Sequence, residues 1–238
     1  VRACAQLGTD YVDITGEPDF VNRVRDRYQE DALASGALII NCCGFDSIPA
    51  DIGAYFTAQN LSTSTNKRVT CQLQIRGGMS GGTWASMLYA LQKPASRSGG
   101  GAPKPGARKR PWLQSAPHSN RYLVKLPTID PVIVRRSSRL FPDIYGDNFD
   151  YGHYLSLSRL TRVLGLAASI VGLFVVSRIP GLCELLPRLK PQGTGPSAKE
   201  RDKASFRLRF FGNNDTMRVI TEVKSPLDAY TETGKMAS

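Results

Sequence analysis

An α/β fold, with a parallel sheet first and a mixed α/β region after it, is predicted by three features of this sequence. Twice an apolar strand stops in a polar, Gly-containing turn and reopens as a helix, at residues 9–18 (TDYVDITGEP) and 41–53 (NCCGFDSIPADIG). A helical pattern lies between them, and the order strand, helix, strand, helix implies parallel pairing through right-handed crossovers. After Asn60 the pattern switches to strict alternation, the mark of a half-covered strand in another sheet.

The elements follow in order. Residues 1–7 read as the tail of a helix closed by Gly8, with no initiator Met, so the chain is expected to start inside a domain. Tyr11, Val12 and Ile14 form a short strand. Beyond the turn at Thr15, Gly16 and Glu17, the residues Phe20, Val21, Val24, Tyr28 and Ala32 recur at helical spacing until Gly36. Residues 37–43 (ALIINCC) are an almost unbroken apolar run, which predicts a strand covered on both faces. Ser47 is expected to cap the next helix, with Pro49 in its first turn and Ile52, Tyr55 and Phe56 on its buried side.

In the second region, Val69, Cys71, Leu73 and Ile75 alternate along a strand at 68–76. The turn GGMSGGT at 77–83 opens a helix with Trp84, Met87, Leu88 and Leu91. Free N–H groups at that start suit an anion or a carbonyl oxygen, and its glycines suit a tight bend equally well. Residues 131–136 are expected as a short strand. Phe141, Tyr145, Phe149, Tyr151 and Tyr154 then crowd a Gly/Asp-rich stretch, either lining an apolar pocket or pinning a loop to the core. Ser197 and Glu200 make a capping-box pattern, and 206–211 with 217–223 flank a Gly-Asn-Asn-Asp turn as a hairpin.

Composition narrows the chemistry. A chain of 238 residues, 41% hydrophobic and 21% charged, holds one or two globular domains. Its five cysteines lack metal-ligand spacing, which favours free thiols in a reducing compartment. Only His118 and His153 offer imidazoles, so no metal site is expected. The net charge of +11 is local: eleven Lys and Arg stand against one Asp between Lys93 and Leu140. Within that segment, 95–110 (ASRSGGGAPKPGARKR) reads as a flexible surface insertion. A solvated loop is its first reading and an anionic membrane its second. Nucleic acid is not expected as a partner, since no aromatic platform accompanies the charge.

Residues 163–176 (VLGLAASIVGLFVV) carry no charge. As a helix they reach roughly 21 Å, short of the about 30 Å hydrocarbon core of a bilayer. They should not cross it alone. Two readings stand: a buried helix, or a monotopic insertion through 163–182 in which Ile179, Pro180, Gly181 and Leu182 turn the chain back.

Strand tips opening into helices are how nucleotide-binding α/β sheets form their ligand crevice. Neither GxGxxG nor GxxxxGK[ST] occurs in the chain, so the phosphate-holding turn of such a sheet is not within it.

Several segments together resemble one family: YVDITGEP (11–18), CGFDSIPADIG (43–53), SGGT (80–83), DPVIVRRS (130–137), GPS (195–197) and the DAYTETGKM ending at Met236. They are similar to the saccharopine dehydrogenase-like oxidoreductases, a family that includes trans-acting enoyl reductases. The likeness covers most of the chain outside the basic loop, and CGFDSIPADIG is its most specific element. It implies the C-terminal part of an NAD(P)-binding Rossmann domain over 1–60, a mixed α/β substrate domain over 61–224, and the start of a segment returning to the first domain over 225–238.

What the resemblance implies for chemistry is hydride transfer between a nicotinamide, NADP or NAD, and an apolar, lipid- or polyketide-like substrate. Asp13, Thr15, Gly16, Glu17, Cys43, Gly44 and Phe45 would border the cofactor, with Asp46 and Ser47 beside the reacting carbon; both also suit helix capping. Amino-acid chemistry of the saccharopine type, with Arg135 and Arg136 holding a charged substrate, is one competitor. A non-catalytic protein of a membrane or lipid-droplet surface is another. The resemblance also implies an intracellular site, on the cytoplasmic face of a membrane or droplet or in the mitochondrion, and a homo-oligomer as a further partner expectation.

Overall fold

The computed structural model describes residues 1–61, 66–92, 110–116 and 119–238. It begins with helix α1 (Arg2–Leu7), strand β1 (Tyr11–Val12), helix α2 (Pro18–Ser35), strand β2 (Ile39–Ile40) and helix α3 (Ile48–Gln59). β1 and β2 pair in parallel, Tyr11 opposite Ile39 and Val12 opposite Ile40. The full coverage expected for 37–43 is not found, since Ile40 stays 42% exposed. Among the described residues β2 has one sheet neighbour, and a strand shielded on both faces needs flanking strands as well as helices.

The second sheet takes β3 (Asn66–Arg76), β4 (Leu113–Ser115), β5 (Tyr122–Lys125), β6 (Asn148–Leu157), β7 (Ser205–Asn213) and β8 (Arg218–Ser225) in the order β4-β5-β6-β3-β7-β8. Only the central β3–β6 pair is parallel; the other pairs are antiparallel. Around it lie α4 (Gly81–Gln92), α5 (Asp130–Leu140), α6 (Pro142–Tyr145), α7 (Leu160–Val176), α8 (Leu182–Leu189), α9 (Ala198–Arg201) and α10 (Ala229–Ala237). The molecule is an α/β protein with a small parallel sheet and a larger mixed one. The capping box at Ser197 and Glu200 and the β7–β8 hairpin form as expected.

The core lies where α3 and α5 cover one face of the large sheet, with Val69, Cys71, Leu73, Tyr151, Leu208 and Phe210 beneath Ala50, Ala54 and Val134. α3 buries the side opposite to the one expected. Its small residues Ala50, Gly53, Ala54, Thr57 and Ala58 point inward, while Ile52 and Phe56 are exposed; of the three expected there, Tyr55 alone is half-buried, against Phe141 and Tyr145. A Cβ at Gly53 would lie 2.2 Å from the Phe210 ring, and one at Gly212 2.5 Å from Thr57 Cγ2. Backbone meets sheet too closely there for a large side chain. Just beyond α3, Lys67, itself buried, donates to the carbonyls of Ala58, Leu61 and Ile144, tying the ends of α3 and α6 to β3.

Three other expectations give way. Residues 131–136 are helical, not extended: Pro131 in the first turn and Asp130 at the start favour a helix N-terminus over the β preference of Val132, Ile133 and Val134. The aromatic stretch is largely strand β6, and Tyr145, Tyr151 and Tyr154 are core residues rather than the lining of an open pocket. α7 is not buried. Val163 is its one buried residue, whereas Leu164 and Val171 are 61% and 62% exposed. Among the described residues no helix is long and apolar enough to cross a membrane.

Residues 95–109 of the basic segment lie outside the described residues. Arg110, its last member, is anchored rather than free. Its guanidinium pairs with Asp150 at 3.0 Å and donates to Thr70 Oγ1 at 2.9 Å, with a side chain only 13% exposed.

Candidate active site

The tips that follow β1 and β2 lie side by side. A Cβ placed on Gly44 would sit 3.3 Å from Ile14 Cβ, and one on Gly16 would sit 3.6 Å from Asp46 Oδ2. Asp13 ties them together. Its Oδ1 accepts the N–H groups of Thr15 (3.0 Å) and Cys42 (3.1 Å), its Oδ2 accepts from Asn41 Nδ2, and its carbonyl accepts the Cys43 N–H at 2.7 Å. These bonds hold Cys42 at φ 66°, the one non-glycine residue in the left-handed region among those described. Such a conformation costs on the order of 1–3 kcal/mol and persists only where its surroundings impose it.

The arrangement divides the nine residues singled out in the sequence. Thr15, Gly16, Glu17, Gly44, Phe45 and Asp46 gather at the two tips. Asp13 and Cys43 serve the turns themselves: the Asp13 carboxylate is occupied by its three donors, and Cys43 is buried with its thiol toward the Ile40 carbonyl. Ser47 stands at the N-cap position of α3 but makes no side-chain cap. Its Oγ is buried without a hydrogen bond, packed beside the Cys42 thiol. It faces the protein interior and not the tips' open side.

α10 closes over this region from the far end of the chain. Thr233 Oγ1 accepts the Phe45 N–H at 3.1 Å, and the Phe45 ring packs edge-on against Phe206 with centroids 4.7 Å apart. One helical turn earlier, the Tyr230 hydroxyl accepts the Ser80 N–H at 2.8 Å and lies 2.9 Å from Thr83 Oγ1. A pocket of about 490 Å³ opens there, lined by Ser80, Gly82, Thr194, Gly195, Tyr230 and Thr231. The segments SGGT, GPS and DAYTETG, far apart in sequence, thus line one space. The start of α4 is less open to an anion than its glycines suggested, because Gly81 N–H goes to Thr194 O and Thr83 N–H to Ser80 Oγ.

Behind the tips is a group of titratable side chains. Asp46 is open to solvent yet hemmed in by protein on most sides; that crowding, and Asp130 beyond it, raise its pKa, while His153 draws it down. Asp130, at the start of α5, is raised to about 7 by burial. His153, on β6, is lowered to about 4 by burial, with Asp46 acting in the opposite direction. The Tyr151 hydroxyl lies 3.0 Å from His153 Nδ1. Among the described residues no three side chains are grouped to hold a metal ion.

Asp130, His153 and Thr233 were not singled out from sequence. A signal for His153 existed: Phe149, Tyr151, His153 and Leu155 repeat with period two, which places the imidazole on the inner face of a strand.

Curated relatives match nearly the whole chain. A trans-acting enoyl reductase of Mycobacterium bovis is 30% identical over 98% of the chain and 64% of its own length. Saccharopine dehydrogenase-like oxidoreductases of Rattus norvegicus and Homo sapiens are 33% and 31% identical, each over 98% of the chain and 62% of their own. The chain belongs to the saccharopine dehydrogenase-like oxidoreductase family. It spans about 60% of the length of the curated relatives it matches. No protein-family profile matches it.

Proposed function

We propose that the chain forms the nicotinamide end and the substrate roof of an NAD(P)-dependent oxidoreductase that reduces a carbon–carbon double bond in an apolar, lipid- or polyketide-type substrate. The observation that supports this most is the meeting of the two strand tips, with Asp46 Oδ2 over Gly16 and with α10 clasped to Phe45. Adjacent tips of parallel strands are where such sheets hold a ligand. Gly16 leaves the backbone beside Asp46 without a side chain, as a flat ring requires, while Gly44 lets Ile14 and Thr233 close in behind it.

Thr15, Gly16, Glu17, Gly44 and Phe45 would border the ring. A bound nicotinamide supplies the hydride. Asp46 is the side chain placed to give the accompanying proton, because its carboxyl lies at the tips and crowding lifts its pKa toward the working range of a general acid. Ser47, sealed beneath, is left out of the chemistry. The fold's further contribution is orientation and the exclusion of water by α10.

The test is to incubate the full-length protein with NADPH or NADH and either a long-chain enoyl thioester or saccharopine. Enoyl reduction that falls at least 100-fold in Asp46→Asn supports the reading; saccharopine turnover without enoyl reduction sinks it.

A second reading concerns partners, and the surface of α7 and α8 favours it. Leu164, Val171, Val175, Leu185 and Leu189 are exposed, with Arg159, Arg162, Arg178 and Arg188 in the same segment. An apolar helix pair edged by guanidinium groups suits shallow insertion into an anionic lipid surface, which would bring an apolar substrate to the roof. Flotation with anionic liposomes should carry the protein upward and leave a Leu164→Glu/Val171→Glu variant behind. Equal flotation of both rules out this surface.

A further inference from the structure

A second cavity, of about 500 Å³, is bordered by α2, β2 and α5 and shares no lining residue with the one under α10. Its volume falls within the roughly 300–1,000 Å³ of small-molecule sites. Apolar wall is supplied by Val21 and Val24 of α2, Ile39 of β2, and Ile129, Val132 and Ile133 at the start of α5. Among the described residues no Asp or Glu lines the groove, whereas Arg25, Arg135, Arg136 and Arg139 all do.

The two chemistries are sorted along α5. Ile129, Val132 and Ile133 come first and the three arginines follow, over a rise of about 15 Å from Ile129 to Arg139 at 1.5 Å per residue. The last turn of a helix favours a cation, which accounts for Arg139 but not for Arg135 or Arg136. Across the groove Arg25 is already paired with Asp26 at 2.8 Å. The three α5 guanidinium groups have no ion pair or hydrogen bond among the described residues. Asp51 and Asp150, whose charges reach Arg136 and Arg135 from outside the groove, are engaged by Ser137 Oγ at 2.8 Å and by Arg110 at 3.0 Å.

Water satisfies an exposed guanidinium, so unpaired arginines alone prescribe no ligand. Here they stand at one end of an apolar trough, and a molecule that fills the trough gains most by bringing an anion to that end. We propose that the groove between α2, β2 and α5 binds a single-chain fatty carboxylate, its head on Arg135, Arg136 and Arg139 and its tail along Ile133, Val132 and Ile129. The guanidinium fork matches a carboxylate with two parallel N–H···O bonds. None of the six residues gathered at the strand tips lines this groove, and no nucleotide is needed, so the site stands independently of the function proposed above.

The test is calorimetric titration of the 238-residue chain with decanoate below its micelle concentration, with decanol and acetate as tail-only and head-only controls. Decanoate should bind at least about tenfold more tightly than either control. Arg136→Gln/Arg139→Gln should weaken it about tenfold, and Leu164→Glu/Val171→Glu on α7 should leave it unchanged. Methyl NMR locates the tail without any substitution: decanoate should shift Val24, Ile39 and Ile133 and spare Leu164 and Val171. Equal binding of decanol would mean an apolar trough with no head site, and loss of binding in the α7 variant would put the amphiphile on that exposed helix; either result overturns the proposal. Absence of decanoate binding overturns it as well, and is what a groove reserved for an added β-strand predicts. Arg136 and Arg139 are exposed, so their replacement should not disturb folding; if it does, the methyl map decides alone. A failed enoyl assay beside intact decanoate binding would count against the function and not against this site.

Discussion

Thr233 reaches back across 188 positions to accept the Phe45 N–H at 3.1 Å, while giving its own proton to Ala229 O at 2.8 Å. One hydroxyl therefore joins the last helix to the tip after β2. Replacing it with the isosteric valine removes both bonds and keeps the methyl contact with Gly44. Thr233→Val is expected to cost about 1 kcal/mol in denaturant unfolding, with faster hydrogen exchange at the Phe45 amide. Unchanged exchange there would mean that α10 does not hold the tip.

Gly53 faces Phe210 at a distance no side chain tolerates. Gly53→Ala forces either the ring or α3 to move, and destabilisation of roughly 1–3 kcal/mol is expected. Thermal unfolding checks it. The neighbouring exposed position Ile52, changed to Ala, should show far less.

Tyr145 is fully buried and its hydroxyl finds no partner among the described residues. Removing the oxygen relieves a desolvated group and leaves the ring contact with Phe149, at 4.6 Å between centroids, intact. Tyr145→Phe should therefore stabilise the fold by about 1 kcal/mol, one of few core changes to do so. A loss of stability would reveal a partner for that oxygen.

Asp130 and His153 pull the pH dependence in opposite directions. The folded-state pKa of Asp130 is raised to about 7 from an unfolded value of about 3.9, so folding holds its proton and stability falls as pH rises across that window. His153 is lowered to about 4 from about 6.5, so the unfolded chain binds the extra proton and stability rises between those values. Between pH 4 and 6.5 the two nearly cancel. Asp130→Asn should unmask the histidine slope, giving a protein that gains stability from pH 4 to 6.5 where the parent stays flat. Chemical denaturation at half-unit intervals resolves this, and parallel curves for the two proteins would refute it.

Local signals told the truth where local chemistry decides. The left-handed glycines Gly8 and Gly36, the capping box at Ser197 and the hairpin turn before Thr216 all formed as their residues require. The parallel tips were legible for the same reason. What failed was orientation, which depends on distant partners. Ile52 and Phe56 look like the buried side of α3 until Phe210 claims the space that only Gly53 leaves free. Residues 131–136 have strand-like side chains, but Pro131 and the packing of Val134 on the sheet make them helical. His153 on β6 and Asp130 on α5 act electrostatically on Asp46, a juxtaposition made by the mixed sheet and written in no single segment.

The small-residue face of α3 has a mechanical consequence. With Gly53 and Gly212 allowing near-contact of main chain and ring, helix and sheet mesh like gear teeth, and neither slides past the other without lifting off. Among the described residues α10 meets the β2 tip through one hydrogen bond, from the Phe45 N–H to the Thr233 hydroxyl, and is tied to the start of α4 by Tyr230. α3 is therefore a fixed wall against the large sheet, and any rearrangement beside the tips falls to the less deeply meshed terminal helix.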